Sequence, residues 1–270
     1  MSHNESAFEE LPLNKRYGFG KNWEKFIERH YNDERVADSI RVFQDFTKLR
    51  SLEGKSFIDV GCGSGLHSLG AHRMKATEIF AFDYDPNSVK ITKELWKRES
   101  QPKNWQTVQG SILDREFLST LKTYDFVYSW GVLHHTGAVW KAISNTCDLV
   151  NQSGSMYLAL YSLDVQPKAQ YWLDKKLTYV NSNRLKRNFM EIWYILKYVR
   201  PAVYLKILFG IGEKRTRGMD FLTDIRDWLG GWPMEFVYDA EVIKFVGARG
   251  FDLENIKKGE ACTEFFFKRK

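Results

Sequence analysis

From residue 56 onward, short apolar runs alternate with longer stretches in which apolar residues recur every three or four positions. Ser56–Val60, Glu78–Asp83, Trp105–Gly110, Tyr124–Ser129 and Ser155–Tyr161 have the length and character of strands. The stretches Leu66–Met74, Pro86–Glu99, Asp114–Leu121 and Gly137–Val150 carry helical periodicity. Strands that alternate with helices predict a parallel sheet covered on both faces, a doubly wound α/β fold. A further helix over Asp239–Ala248 leads into two strands, Phe251–Ile256 and Cys262–Arg269, with no helix between them. These two should pair antiparallel at the sheet's edge, for seven strands in all.

Two stretches stand outside the alternation. Residues 1–52 read as a helical segment, with Trp23, Phe26, Ile27, His30 and Tyr31, then Val36, Ile40, Phe43 and Phe46, at helical spacing. Residues 162–237 separate the fifth strand from its helix and are too long for a loop. They are aromatic and helix-prone, so a helical cap is expected there, inserted into a core of residues 53–161 and 238–270.

Composition narrows the setting. The N-terminus is polar and acidic and lacks the features of a secretory leader. The longest apolar run, Ile192–Ile211, is broken by Lys197, Arg200, Pro201 and Lys206, which argues against a bilayer span. Cys62, Cys147 and Cys262 are far apart and form no CxxC pair, so a reducing, cytoplasmic compartment without structural zinc is expected. The histidines show no metal-ligand spacing either.

The strongest chemical signal is Phe57-Ile-Asp-Val-Gly-Cys-Gly-Ser-Gly65, a buried strand running into a glycine loop that opens a helix. Glycines there let the backbone take positive φ and approach a ligand closely. A dinucleotide fingerprint would need a glycine where Leu66 stands. Asp59, two residues before the first glycine, also suits a ligand that bears an amino acid better than a pyrophosphate. Asp83 ends the second strand, where a carboxylate can accept both hydroxyls of a ribose. It could instead cap the next helix, but Asp85 is better placed ahead of Pro86. Gly110-Ser-Ile-Leu-Asp114 ends the third strand with a small polar residue and an apolar one, suited to an adenine edge or to an ordinary turn.

Together with Ser129–Gly137 (SWGVLHHTG), these motifs resemble the class I S-adenosylmethionine (SAM)-dependent methyltransferases over residues 56–161 and the closing strands. The resemblance implies a Rossmann-like methyltransferase core that uses SAM and releases S-adenosylhomocysteine. It implies that Asp59, Gly61, Cys62, Gly63 and Gly65 hold the methionine part, with backbone at Ser129 and Trp130 meeting its amino group. Asp83 would take the ribose, Tyr84 would line the adenine, and Ser111 and Ile112 would grip its edge. More narrowly, YGFGKNW at 17–23 and DWLGGWPMEF at 227–236 resemble bacterial proteins similar to ubiquinone-biosynthesis O-methyltransferases. In such proteins the N-terminal segment folds over SAM, which makes Gly20, Asn22 and Trp23 candidate lid contacts; an aromatic helix packing on the sheet is the other reading of Trp23.

A hydroxyl acceptor needs a base, and His134 and His135 follow the fourth strand, one expected in the cleft and one beneath it. His135 is the preferred base; a purely structural pair is the alternative. No GxSxG nucleophile elbow is present. Asp227, Trp228, Trp232 and Glu235 form a second cluster, fit either to bind an acceptor or to dock the cap. The expected reaction is O-methylation of a phenol, quinone precursor or sugar. RNA or protein methylation and a non-catalytic SAM-binding regulator are the alternatives. Net charge is +6, and residues 164–235 carry thirteen Lys and Arg against eight Asp and Glu. Ile192, Leu196, Val199, Val203 and Ile207 fall on one helical stripe there. Such a basic amphipathic segment can bury its stripe on the core or on a second subunit, or rest on an anionic membrane. Nothing resembles an RNA-binding module, which argues against a nucleic-acid partner.

Overall fold

The computed structural model describes residues 18, 32–198, 221–259 and 261–270. Gly20, Asn22 and Trp23, and with them the expected lid contacts, lie outside the described residues, as do Val199, Pro201, Val203 and Ile207.

Seven strands form one sheet in the order β3-β2-β1-β4-β5-β7-β6. They are β1 (Ser56–Val60), β2 (Glu78–Asp83), β3 (Trp105–Gln109), β4 (Tyr124–Trp130), β5 (Val150–Tyr161), β6 (Phe251–Lys258) and β7 (Cys262–Arg269). The first five pair in parallel, and β7 runs antiparallel to both of its neighbours. The expected hairpin therefore forms with its second strand inside the sheet and its first at the edge. Composition accounts for this: Phe265, Phe266 and Phe267 are all buried, so β7 must be covered on both faces. β6, in contrast, alternates Phe251 and Leu253 with charged residues. β5 also begins earlier than expected, because Val150 pairs with Tyr124 across an irregular register instead of extending the preceding helix.

Among the described residues the helices are α1 (Asp33–Thr47), α2 (Leu66–Arg73), α3 (Pro86–Arg98), α4 (Arg115–Ser119), α5 (Val139–Asp148), α6 (Ala169–Val180), α7 (Arg184–Tyr198), α8 (Phe221–Gly230) and α9 (Asp239–Gly247). Side chains alternate across each strand and feed two cores. Phe57, Ile79, Phe126, Tyr128 and Tyr157 pack under α1, α2 and α3 with Val36, Phe43 and Leu95. Ile58, Val60, Phe82, Val127 and Leu158 pack on the opposite face with Ile143, Val242 and Val246 from α5 and α9.

A third cluster, Trp172, Tyr179, Met190, Ile225 and Leu229, joins α6, α7 and α8 between β5 and α9. Lys176 of α6 is fully buried in it. Its ammonium donates to the Trp228 carbonyl and lies 4.4 Å over the Trp228 ring, which ties α6 to α8. The chain returns from these helices alongside β5, where the Ser162 hydroxyl donates to Asp239 Oδ1 at 2.6 Å. The Val237 amide donates to the Tyr161 carbonyl at 3.1 Å.

Candidate active site

At the carboxyl end of β1 the chain turns through Gly61, Gly63 and Gly65 with φ of 77°, 53° and 76°. Only glycine takes this region without strain. The amides of Gly61 and Cys62 both donate to the Phe82 carbonyl, at 2.9 and 3.0 Å, which fixes the loop to the end of β2. A Cβ on Gly65 would sit 2.9 Å from the Thr92 backbone Cα, so α3 passes directly against the loop. Gly65→Ala should therefore destabilise the fold by about 2–4 kcal/mol, combining positive-φ strain with overpacking. Urea unfolding would measure this; an unchanged midpoint would mean that α3 yields freely.

Asp83 ends β2 beside the loop. Its Oδ2 accepts the Gly63 amide at 2.9 Å and its Oδ1 the Asp85 amide at 2.8 Å. Each carboxylate oxygen retains a second lone pair for an outside donor. Asp85, as expected, is the cap of α3, accepting the Asn87 amide. Burial, helped by the Asp85 charge, raises the Asp83 pKa to about 6 against backbone hydrogen bonds from Asp85, Gly63 and Tyr84 that lower it. Asp59 lies beneath, 2% exposed, and accepts the Ser68 hydroxyl at 2.6 Å. Burial raises its pKa to about 7; the Ser68 hydrogen bond opposes the rise and the nearby Asp83 charge adds to it. Burial, with Asp83 and Asp59 beside it, also holds the Cys62 thiol well above its ordinary value, so what Cys62 can offer is backbone and not a thiolate.

The ends of β3 and β4 close the other side. The Ser111 hydroxyl accepts the Leu113 amide at 3.0 Å. Ile112 is 4% exposed, with its side chain in the core, so only its backbone can meet a ligand. Ser129 is buried, and its hydroxyl donates to the Val60 carbonyl at 3.0 Å, joining the ends of β4 and β1. Tyr84 and Trp130 are half-buried at their strand ends. The loop and these strand ends thus gather where the order reverses between β1 and β4, the place where open α/β sheets bind ligands.

His134 and His135 lie on a 3₁₀ turn after β4 and differ sharply. His134 is fully buried, and its Nδ1 accepts the Tyr161 amide at 3.2 Å. His135 is half-buried, and its Nδ1 stands 2.7 Å from the Pro233 carbonyl. A carbonyl can only accept, so Nδ1 carries the proton and the lone pair of the neutral ring sits on Nε2. Tyr161, the last residue of β5, packs against both rings, tilted on His134 with centroids 4.0 Å apart and edge-on to His135 at 5.5 Å. Sequence reading did not single out Tyr161; its position at the carboxyl end of a central strand was the available signal.

The return segment holds this turn at two points and the start of α5 at a third. Besides the Pro233 carbonyl, the Glu235 amide donates to the His134 carbonyl at 2.8 Å, and Glu235 Oε2 accepts the Val139 amide at 3.0 Å. Glu235 thereby caps α5, and burial raises its pKa to about 7. Trp228 packs edge-on against Tyr161 at 5.7 Å and against Trp172 at 5.2 Å. Trp232 is half-buried next to Pro233, and Asp227 lies on α8 with only its backbone described. Trp228 reaches the histidine turn through Tyr161, Glu235 through its backbone and carboxylate, and Trp232 immediately precedes the Pro233 whose carbonyl meets His135. Among the described residues, no three His, Cys, Asp or Glu are grouped to hold a metal ion.

A profile of the family described as "methyltransferase domain" matches residues 29–253. The ribosomal protein L11 methyltransferase of Tolumonas auensis is 33% identical over 67 residues, 20% of this chain and 23% of that one. The ubiquinone biosynthesis O-methyltransferase of Rhizobium rhizogenes is 28% identical over 116 residues, 43% of this chain and 45% of its own length. The chain thus spans less than half the length of these relatives. Among solved structures, magnesium protoporphyrin IX methyltransferase from Synechocystis with bound S-adenosylhomocysteine superposes with a TM-score of 0.54. The match has 13% identity and covers 93% of this chain and 94% of that one.

Proposed function

This chain belongs to the class I SAM-dependent methyltransferases, and from that premise we propose that it methylates a hydroxyl of a small molecule, such as a phenol, a quinone precursor or a sugar. The observation that carries the hydroxyl acceptor is His135, with Nδ1–H directed at the Pro233 carbonyl and the lone pair on Nε2. A nitrogen so oriented can take the proton of an attacking hydroxyl. The likeness to a ubiquinone biosynthesis O-methyltransferase supports the same acceptor class.

SAM supplies a methyl group already activated on a sulfonium, so the protein's tasks are alignment, exclusion of water and handling of one proton. The donor set fits it. Asp83 offers two lone pairs to the ribose hydroxyls, and the glycine loop with Asp59 behind it faces the amino-acid end. Backbone at Ser111 and Ile112, with Tyr84, serves the adenine, and backbone at Ser129 and Trp130 the amino group. His134 then acts by position, with Tyr161 and Glu235 bonded to it keeping the turn in place. Trp228 and Trp232 border the acceptor side, where an aromatic face suits a flat ring. No described helix is long and apolar enough to cross a membrane; we place the reaction in the cytoplasm.

The test is calorimetric binding of SAM and S-adenosylhomocysteine, followed by transfer of labelled methyl to phenols, quinols and sugars. Micromolar binding of both and label in a small hydroxyl acceptor are expected. Label appearing in RNA or protein would overturn the acceptor class. Binding without transfer to any of these would favour a SAM-responsive regulator.

A further inference from the structure

The face of α7 turned away from the molecule is apolar. Leu185, Phe189, Ile192 and Leu196 are 80%, 69%, 56% and 75% exposed. Their spacing of four, three and four residues aligns them as one ridge along the helix. The helix packs inward with its opposite face, through Met190 and Glu191. A ridge of this kind costs solubility, and in a water-soluble fold it marks a contact surface.

Charge identifies the partner. Arg184, Lys186 and Lys197 are exposed beside the ridge. Lys175 of α6 and Lys197 lie 4.8 and 5.2 Å over the ring of Trp193, which flanks the ridge. The one acidic residue of α7, Glu191, is 8% exposed and turned inward. It accepts the Tyr179 hydroxyl at 2.7 Å and pairs with Arg226 at 3.1 Å. The outward face of α7 is thus an apolar ridge bordered by positive charge and an indole, with no negative charge of its own. An anionic lipid surface matches each part: acyl chains for the ridge, headgroup phosphates for the lysines and arginine, and the interface for Trp193.

We propose that α7 docks the protein on an anionic membrane surface, with Leu185, Phe189, Ile192 and Leu196 inserted. The proposal does not rest on the identity of the methyl acceptor. α7 is joined to the site by ring contacts, Tyr194 to Trp172 at 5.9 Å, Trp172 to Trp228, and Trp228 to Tyr161.

The experiment is co-sedimentation of the full chain with vesicles of phosphatidylcholine alone or mixed with phosphatidylglycerol. Binding is expected only with phosphatidylglycerol, weakening as salt rises. The double substitution Phe189→Ser and Leu196→Ser, at exposed positions, should lower partitioning by about tenfold or more with an unchanged circular dichroism spectrum. Lys186→Glu with Lys197→Glu should lower it further at low salt. Absence of sedimentation would overturn the proposal, as would equal binding by the variants. So would a dimer in solution that the serine substitutions split, since a second copy would then cover the ridge.

Discussion

Asp83→Ala will weaken SAM binding by roughly two orders of magnitude, about 3 kcal/mol, read by calorimetry. Two effects add. The ribose hydroxyls lose a charged acceptor, and the Gly63 and Asp85 amides lose the carboxylate that latches the glycine loop to the end of β2. Asp83→Asn keeps one acceptor and should fall between the two. Binding should also depend on pH. With its pKa raised to about 6, Asp83 takes up a proton as pH falls through that value, and SAM affinity declines with it. The apo protein should respond in the opposite sense. A carboxyl whose folded pKa lies above its ordinary 3.8 contributes stability that is complete below 3.8 and lost as pH rises through the folded value. For Asp83 that loss runs from about 3.8 to about 6, and for Asp59 from about 3.8 to about 7. The rise in Tm on adding SAM should therefore be largest near pH 8 and shrink toward pH 5, as the apo Tm moves the other way. A SAM-induced rise that is flat across this range would refute the assignment of Asp83 to the ribose.

His135→Ala should lower kcat by about 10²–10⁴-fold with SAM affinity unchanged, the range expected on removing a general base. His134→Ala should behave differently. Its ring is fully buried and accepts the Tyr161 amide, so its loss leaves a cavity and an unpaired amide at the end of β5. It should cost about 2–4 kcal/mol of stability, and activity would fall through misplacement of the turn. Measuring kcat, SAM affinity and Tm for both variants separates these roles. Full turnover by His135→Ala would remove the base and with it the main support for a hydroxyl acceptor.

Much of this was legible in the sequence, because the signals are local. The first five strands and the helices that follow them are written in residue periodicity, and the glycine loop and the capping of α3 by Asp85 follow from backbone chemistry a few residues long. What was hidden depends on contacts between distant segments. Glu235 reads equally as a residue for an acceptor or for docking the cap, and its carboxylate accepts the amide of Val139, 96 residues away in sequence. Pro233 carries no polar side chain to draw attention, yet its carbonyl sets which nitrogen of His135 bears the proton. The two histidines look alike in sequence. Only the packing of β5 and the return segment makes one a buried strut and the other half-open.

The place of β7 between β5 and β6 governs how the chain is built during synthesis. β6 leaves the ribosome first but finds no partner until β7 follows it and pairs with β5. Tyr157 and Glu264, which hydrogen-bond across that junction, are 107 residues apart. At ordinary translation rates the free edge of β5 then waits roughly 5–20 s, exposing backbone donors beside the apolar Leu158 and Leu160. The helices inserted after β5 set most of that delay. Chaperone dependence and the tendency of the nascent chain to aggregate should therefore follow the length of that insertion, and high contact order should make closure of the sheet the slow step of folding.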